Sequence, residues 1–237
     1  MANLKFSEFT EKTDPANVAF VVGYDGATNV RIDPANIGGG GGAGLFEVNA
    51  TGGTQSTQRV GSGTATGFAS TVGGGQTNTA NGGTSVIGGG SANTSSGGRS
   101  TVSGGDANTA SGDYSTIVGG YGSMASGTGS VGGGYTATAS GNYAVAIGGK
   151  YAVATANMSV AIGGYYNTAS ASKSSILGGE YNSTSTFANS HIIGSNITSD
   201  RANSAFVENI SIKSIPTSAA GLPSGSVWSN GNVLNIV

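Results

Sequence analysis

Cysteine is absent from this chain of 237 residues, so it contains neither a disulfide framework nor a thiolate metal site. Histidine occurs once, at His191, which rules out a multi-histidine metal site within one chain and any triad that needs a second imidazole. Charge is also scarce: charged residues make up 8% of the chain, and 9 Lys and Arg against 11 Asp and Glu leave a net charge of −2. A nucleic-acid surface needs a basic stripe, and this composition does not supply one. No run of apolar residues is long enough to read as a membrane-inserting span. The opening residues Met1 to Phe6 lead no cationic stretch into an apolar core and do not read as a signal peptide. Proline is missing between Pro34 and Pro216, which suits strands whose backbone donors are all engaged in a ladder.

What the chain has in quantity is glycine, 45 residues of it, and the glycines keep time. The anchors are Gly74, Gly89, Gly104, Gly119, Gly133, Gly148, Gly163, Gly178 and Gly194. The step between them is fifteen residues throughout, except that Gly119 to Gly133 is one shorter and Gly178 to Gly194 one longer. Each unit has an apolar phrase, such as Tyr143-Ala144-Val145-Ala146-Ile147-Gly148 or Ser159-Val160-Ala161-Ile162-Gly163. A polar phrase follows, such as Asn108-Thr109-Ala110-Ser111-Gly112 or Asn167-Thr168-Ala169-Ser170. A fixed period of this kind means stacked units that cannot bury an apolar face alone. Fifteen residues hold two short strands and two turns, so the expectation is an all-β, parallel β-solenoid or β-roll of about nine coils over residues 67–205. Glycine and serine in such amounts also suit disorder, but the Val and Ile residues recur at one phase of the period instead of scattering.

Two features of the repeat bear on packing. The bulky residue lies two before the anchor glycine at Val72 and Val102 and one before it at Ile147 and Ile162. Alternate strand residues face opposite sides, so the pattern alone leaves inside and outside unassigned unless a bulge absorbs the step. Each coil also offers only one or two large apolar groups, a thin core that several chains side by side would supplement.

The flanks read differently. Residues 1–37 form a small β-rich module in which Ala19 to Tyr24 and Asn29 to Ile32 read as two strands around Asp25-Gly26, with Asp33-Pro34 opening a helical turn. Residues 38–66 are a glycine-rich linker with a lead-in strand, Leu45 to Asn49. In residues 206–237 a strand over Phe206 to Ile212 precedes a hairpin signalled by Asn230-Gly231.

The phrases Ser159-Val160-Ala161-Ile162-Gly163 and Ala144-Val145-Ala146-Ile147-Gly148, each followed by a polar phrase, resemble the head repeats of trimeric autotransporter adhesins of the YadA type. The resemblance covers the whole of the repeat region and implies a left-handed parallel β-roll with three chains side by side, a homotrimer. The usual unit of that family is one residue shorter than the unit here, and no stalk or anchor accompanies it. Phe6 to Ile37 resembles the N-terminal attachment segments of tailed-phage fibres, and Gly221 to Leu234 is similar to a short C-terminal motif of phage virion proteins. These likenesses imply a virion fibre assembled in the host cytoplasm. Phe6, Phe9, Phe20, Val22 and Ile32 are the candidate contacts to other virion proteins.

Of the candidate chemistry, the tyrosines stand out. Tyr121, Tyr135 and Tyr165 share one phase and Tyr151, Tyr166 and Tyr181 the next, which predicts an aromatic ladder at ~4.8 Å per coil. Such a ladder either packs at turns and between chains or offers a platform to sugar rings of a host-surface glycan or to a host protein. The column Thr79, Thr94, Thr109, Thr138, Thr168, interrupted by Met124 and Val153, sets up a third reading, a Thr-ladder ice-binding solenoid; the Asn residues beside it read as amide ladders. Gly127-Thr128-Gly129-Ser130-Val131-Gly132 matches the dinucleotide pattern by letter only, since a strand-then-helix context is missing. Asp106 and Asp113 do not recur as calcium repeats require. The sequence therefore reads as a non-enzyme without cofactor or metal, a phage virion fibre; the runner-up is a bacterial trimeric surface adhesin head.

Overall fold

The computed structural model of the protein describes residues 20–24, 29–32, 46–48, 57–59, 63–210, 215–230 and 233–236. Two compact units divide between Phe206 and Val207. Every regular element among the described residues is a strand, and the first unit is a parallel β-solenoid of about ten turns.

Each turn of the solenoid contributes one strand to each of two sheets. The first sheet has 12 strands and includes Thr71–Val72, Val86–Ile87, Thr101–Val102, Thr116–Tyr121, Val131–Tyr135, Val145–Lys150, Val160–Ile162 and Ser175–Leu177. The second has 8, from Gly63–Ala65 to Thr168–Ala169. Parallel stacking already begins at Thr57–Arg59, paired with Thr71–Val72, within the stretch that reads as linker from sequence. Its outer edge is closed by Phe46–Val48, which runs antiparallel to it. A strand added in the opposite sense ends the parallel ladder that an open edge would otherwise extend.

The interior is built from columns of like residues. Val72, Ile87, Val102, Ile117, Gly132, Ala146, Ala161, Ile176 and Ile192 form the inward column of the first sheet, Gly132 and the rest all buried. Opposite them stand Ala65, Ala80, Ser95, Ala110, Ala125, Ala139, Ala154, Ala169 and Thr184, also buried. Side chains this short let the two sheets lie close together. A third column, Asn78, Asn93 and Asn108, is an amide ladder: Asn78 Oδ1 accepts from the Asn93 backbone N–H at 3.0 Å, and Asn93 Oδ1 from that of Asn108 at 3.0 Å. Each Nδ2 donates to carbonyls of its own coil and the next, Asn93 to Gly89 at 3.0 Å and to Gly105 at 2.8 Å. The amides thus satisfy corner groups that the strands leave unpaired.

The apparent slip of the bulky residue has a different physical basis from a bulge. The inward position never changes phase; in the middle coils it shrinks to Gly132, Ala146 and Ala161, and beside Ala146 and Ala161 the large residue stands on the neighbouring outward position instead. Gly133, Ile147, Ile162 and Leu177 are in register there, and Ile162 and Leu177 are 43% and 49% exposed. The short coil loses its residue within the strand Val131–Tyr135, between Gly132 and Gly134. Pairing steps from Ile117↔Gly132 to Gly120↔Gly134, so the strands on both sides keep their phase.

Glycine is needed at one corner position in particular. Gly75, Gly90, Gly105, Gly120, Gly134, Gly149, Gly164 and Gly179 all have positive φ. A Cβ on Gly105, at φ +99°, would lie 2.2 Å from the Gly120 carbonyl oxygen and 2.6 Å from Asn108 Nδ2. The preceding anchor glycine is different: a Cβ on Gly104 meets only the Gly89 carbonyl, at 3.9 Å. Of this pair, then, the second is the structural requirement, whereas in later coils Gly148, Gly163 and Gly178, the first glycines of their pairs, have positive φ as well.

The remaining described elements are hairpins. Phe20–Tyr24 pairs antiparallel with Asn29–Ile32, Phe20 opposite Ile32, as the sequence suggests. In the C-terminal unit Val227–Asn230 pairs antiparallel with Val233–Ile236, with Asn230 itself paired to Val233. Of the strand expected over Phe206 to Ile212, Phe206 and Val207 close the strand Ser204–Val207, Glu208 to Ile210 lie outside it, and Ser211 and Ile212 are outside the described residues. The helical turn expected at Asp33-Pro34, and Phe6 and Phe9, lie outside the described residues.

Gly105→Ala is expected to lower the free energy of unfolding by about 2–4 kcal/mol, combining left-handed strain with overpacking against the next coil. Gly104→Ala should stay within about 0.5 kcal/mol. Denaturant unfolding of the two variants checks this, and equal effects would refute the assignment.

Candidate functional site

The coil corner that follows the first-sheet strand collects the tyrosines. The strands Thr116–Tyr121, Val131–Tyr135 and Val145–Lys150 run past their glycine pairs to end at this corner, and isolated bridges continue the column through Lys150, Tyr165 and Glu180. The next column holds Tyr151, Tyr166 and Tyr181, each with a left-handed backbone, φ 58°, 51° and 54°. Other coils put Thr77, Ala92 and Ala107 at that position, likewise left-handed. The corner therefore turns by backbone conformation whatever the side chain, and each side chain is thrown outward.

The six predicted tyrosines come together as one belt. Tyr121 stacks on Tyr135 with centroids 5.3 Å apart, Tyr151 on Tyr166 at 4.5 Å and Tyr166 on Tyr181 at 5.6 Å. Edge contacts join the two columns: Tyr135 to Tyr151 at 5.9 Å and Tyr165 to Tyr166 at 4.5 Å. Tyr121, Tyr135, Tyr166 and Tyr181 remain exposed, while Tyr151 and Tyr165 are half-buried. Because stacked rings cover one another's faces, the belt presents mainly ring edges and phenol hydroxyls.

Sequence reading did not single out Lys150, which the fold places inside the belt. Its Nζ lies 5.0, 5.1 and 5.9 Å from the ring centroids of Tyr135, Tyr151 and Tyr165. The signal that could have found it is positional: Lys150 occupies the place of a tyrosine in the column Tyr121, Tyr135, Tyr165.

The two outer sheet faces contrast. The outward side of the first sheet carries Val118, Val131, Val145, Ile147, Val160, Ile162, Leu177 and Ile193, exposed or half-buried. Its one imidazole, His191, shares a 2.8 Å hydrogen bond between Nδ1 and Ser175 Oγ. The outward side of the second sheet carries the threonine column in register, Thr79, Thr94 and Thr109, then Met124, Thr138, Val153 and Thr168. Met124 and Val153 interrupt the hydroxyl row as the sequence indicates.

The letter match Gly127 to Gly132 falls on a corner and the start of a strand, with Gly132 buried against Ile117 Cδ1 and so turned away from any ligand. Among the described residues no three His, Asp or Glu side chains gather as metal ligands would. Phe20, Val22 and Ile32 lie on the N-terminal hairpin strands. A scan against protein-family models and a search of curated proteins find no match to this chain.

Stacking within the belt is testable apart from any ligand. Tyr166→Ala removes two stacked neighbours and should cost about 1–2 kcal/mol of stability. Tyr143→Ala, at another exposed left-handed corner and in no ring contact among the described residues, should cost under about 0.5 kcal/mol. Thermal unfolding of both variants distinguishes the two positions, and equal costs would mean that the belt does not act as a stack.

Proposed function

We propose that this chain is a non-enzymatic fibre or appendage protein of a tailed-phage virion, homotrimeric, with residues 1–37 docking on the particle and the solenoid meeting the host surface. The observation that carries the reading is the contrast between the two outer faces. An apolar sheet face several coils long is costly in water, at about 25 cal/mol per Å² of apolar area. Copies of the same chain cover such a face without any further partner, and a net charge of −2 opposes their approach little. The hydroxyl-rich second sheet then stays in water, and the tyrosine belt at the corner stays accessible.

The resemblance to adhesin head repeats supports the trimer, and the likeness of both ends to phage fibre segments supports the virion. Several belts per fibre and several fibres per particle turn weak individual contacts into firm attachment. A bacterial surface adhesin head uses the same trimer and belt, and differs in standing on the cell envelope instead of the particle. Ice binding is less well supported, because its threonine row is broken twice.

The purified full chain is expected to bind intact host cells and to compete with particle attachment. The double variant Tyr151→Ala/Tyr166→Ala should weaken that competition about tenfold, each contact being multiplied over copies. Wild-type protein that leaves particle attachment unchanged, or a double variant that competes equally well, would overturn the adhesive reading of the belt.

A further inference from the structure

Lys150 gives the belt a chemical preference that the tyrosines alone lack. It is exposed, forms no ion pair among the described residues, and holds its ammonium against three ring faces at once. Ring contact positions the ammonium without neutralising it, and its N–H groups remain available to an acceptor. The three rings around it, Tyr135, Tyr151 and Tyr165, each carry a phenol hydroxyl that can also donate. The nearest carboxylate in the column is Glu180, two coils away, or roughly 10 Å at the strand spacing and about one Debye length at 0.1 M salt.

We propose that the belt selects an acidic glycan, seating one sugar carboxylate on Lys150 while hydroxyls of the flanking sugars meet the phenols of Tyr135, Tyr151 and Tyr165. The proposal rests on the adhesive reading of the belt and names its ligand class. A neutral sugar would leave the ammonium without a counter-charge in the complex, and a protein ligand would need a broader apolar patch than ring edges provide. Glu180 limits how far an acidic chain extends along the column. The seat is thus a short one, centred on a single positive charge.

The test uses beads coupled to polygalacturonate, a uronic-acid polymer, and beads coupled to neutral dextran. Wild-type full chain should be retained on polygalacturonate about tenfold better than on dextran, the size of a charge-assisted hydrogen bond. Raising salt from about 0.05 M to about 0.5 M should abolish most of that difference. Lys150→Met should lose the preference and Lys150→Arg retain it, whereas Lys173→Met, which removes an exposed lysine at the opposite corner, should change nothing. Glu180→Gln should strengthen retention.

Equal loss in the Lys150 and Lys173 variants would overturn the proposal by showing unspecific charge attraction, and so would no retention on the acidic beads. Polygalacturonate retention that falls with Tyr151→Ala but ignores Lys150→Met would overturn the acid preference while leaving the adhesive reading standing. Failure of that reading shows separately, in cell attachment that ignores the tyrosines.

Discussion

Close approach of one coil's backbone to the next is the constraint on which this structure depends. At the corner after each first-sheet strand the chain takes a left-handed turn directly beneath a carbonyl of the following coil, and only glycine leaves room there. That contact recurs once in every coil from Gly75 to Gly179. The short coil is accommodated beside it: Gly132 to Tyr135 spans with one residue fewer what Ile117 to Tyr121 and Ala146 to Lys150 span, and the ladders of both sheets continue in phase. Asparagine amides then fasten the corner by bridging carbonyls of successive coils.

From this regularity follows the distribution of apolar volume. The early coils place Val72, Ile87, Val102 and Ile117 inside and Gly73, Gly88 and Ser103 outside. The middle coils reverse the arrangement, with Gly132, Ala146 and Ala161 inside and Ile147 and Ile162 outside. Where the interior becomes nearly pure alanine, the asparagine ladder also gives way to Ala137 and Ala152. The same coils carry the tyrosine belt. Side chains withdrawn from the core are therefore placed on the surface over one continuous stretch, which is why the self-association and the adhesion proposed above fall on the same part of the chain.

Much of this is legible in the sequence, for a physical reason. A solenoid repeats one environment per coil, so the glycine period reports the fold, and like residues at one phase report a ladder, as with the six tyrosines and the buried asparagines. What the period does not reveal is the direction of a side chain. Ile147 next to Ala146 reads equally well as a core residue displaced by a bulge or as an outward one, and only the pairing of Ala146 with Gly132 and Ala161 decides it. The start of stacking at Thr57–Arg59 is hidden because that coil lacks the anchor glycine pair. Lys150 is missed because a search for repeated types passes over the one residue that breaks the repeat.

The central claim is that copies of this chain cover the apolar outer face of the first sheet. Its most direct test is the molar mass of the purified protein in solution by light scattering at several concentrations. The expected mass is three times the 22.9 kDa of one chain, independent of dilution over the working range. A folded species that stays at 22.9 kDa throughout would contradict it.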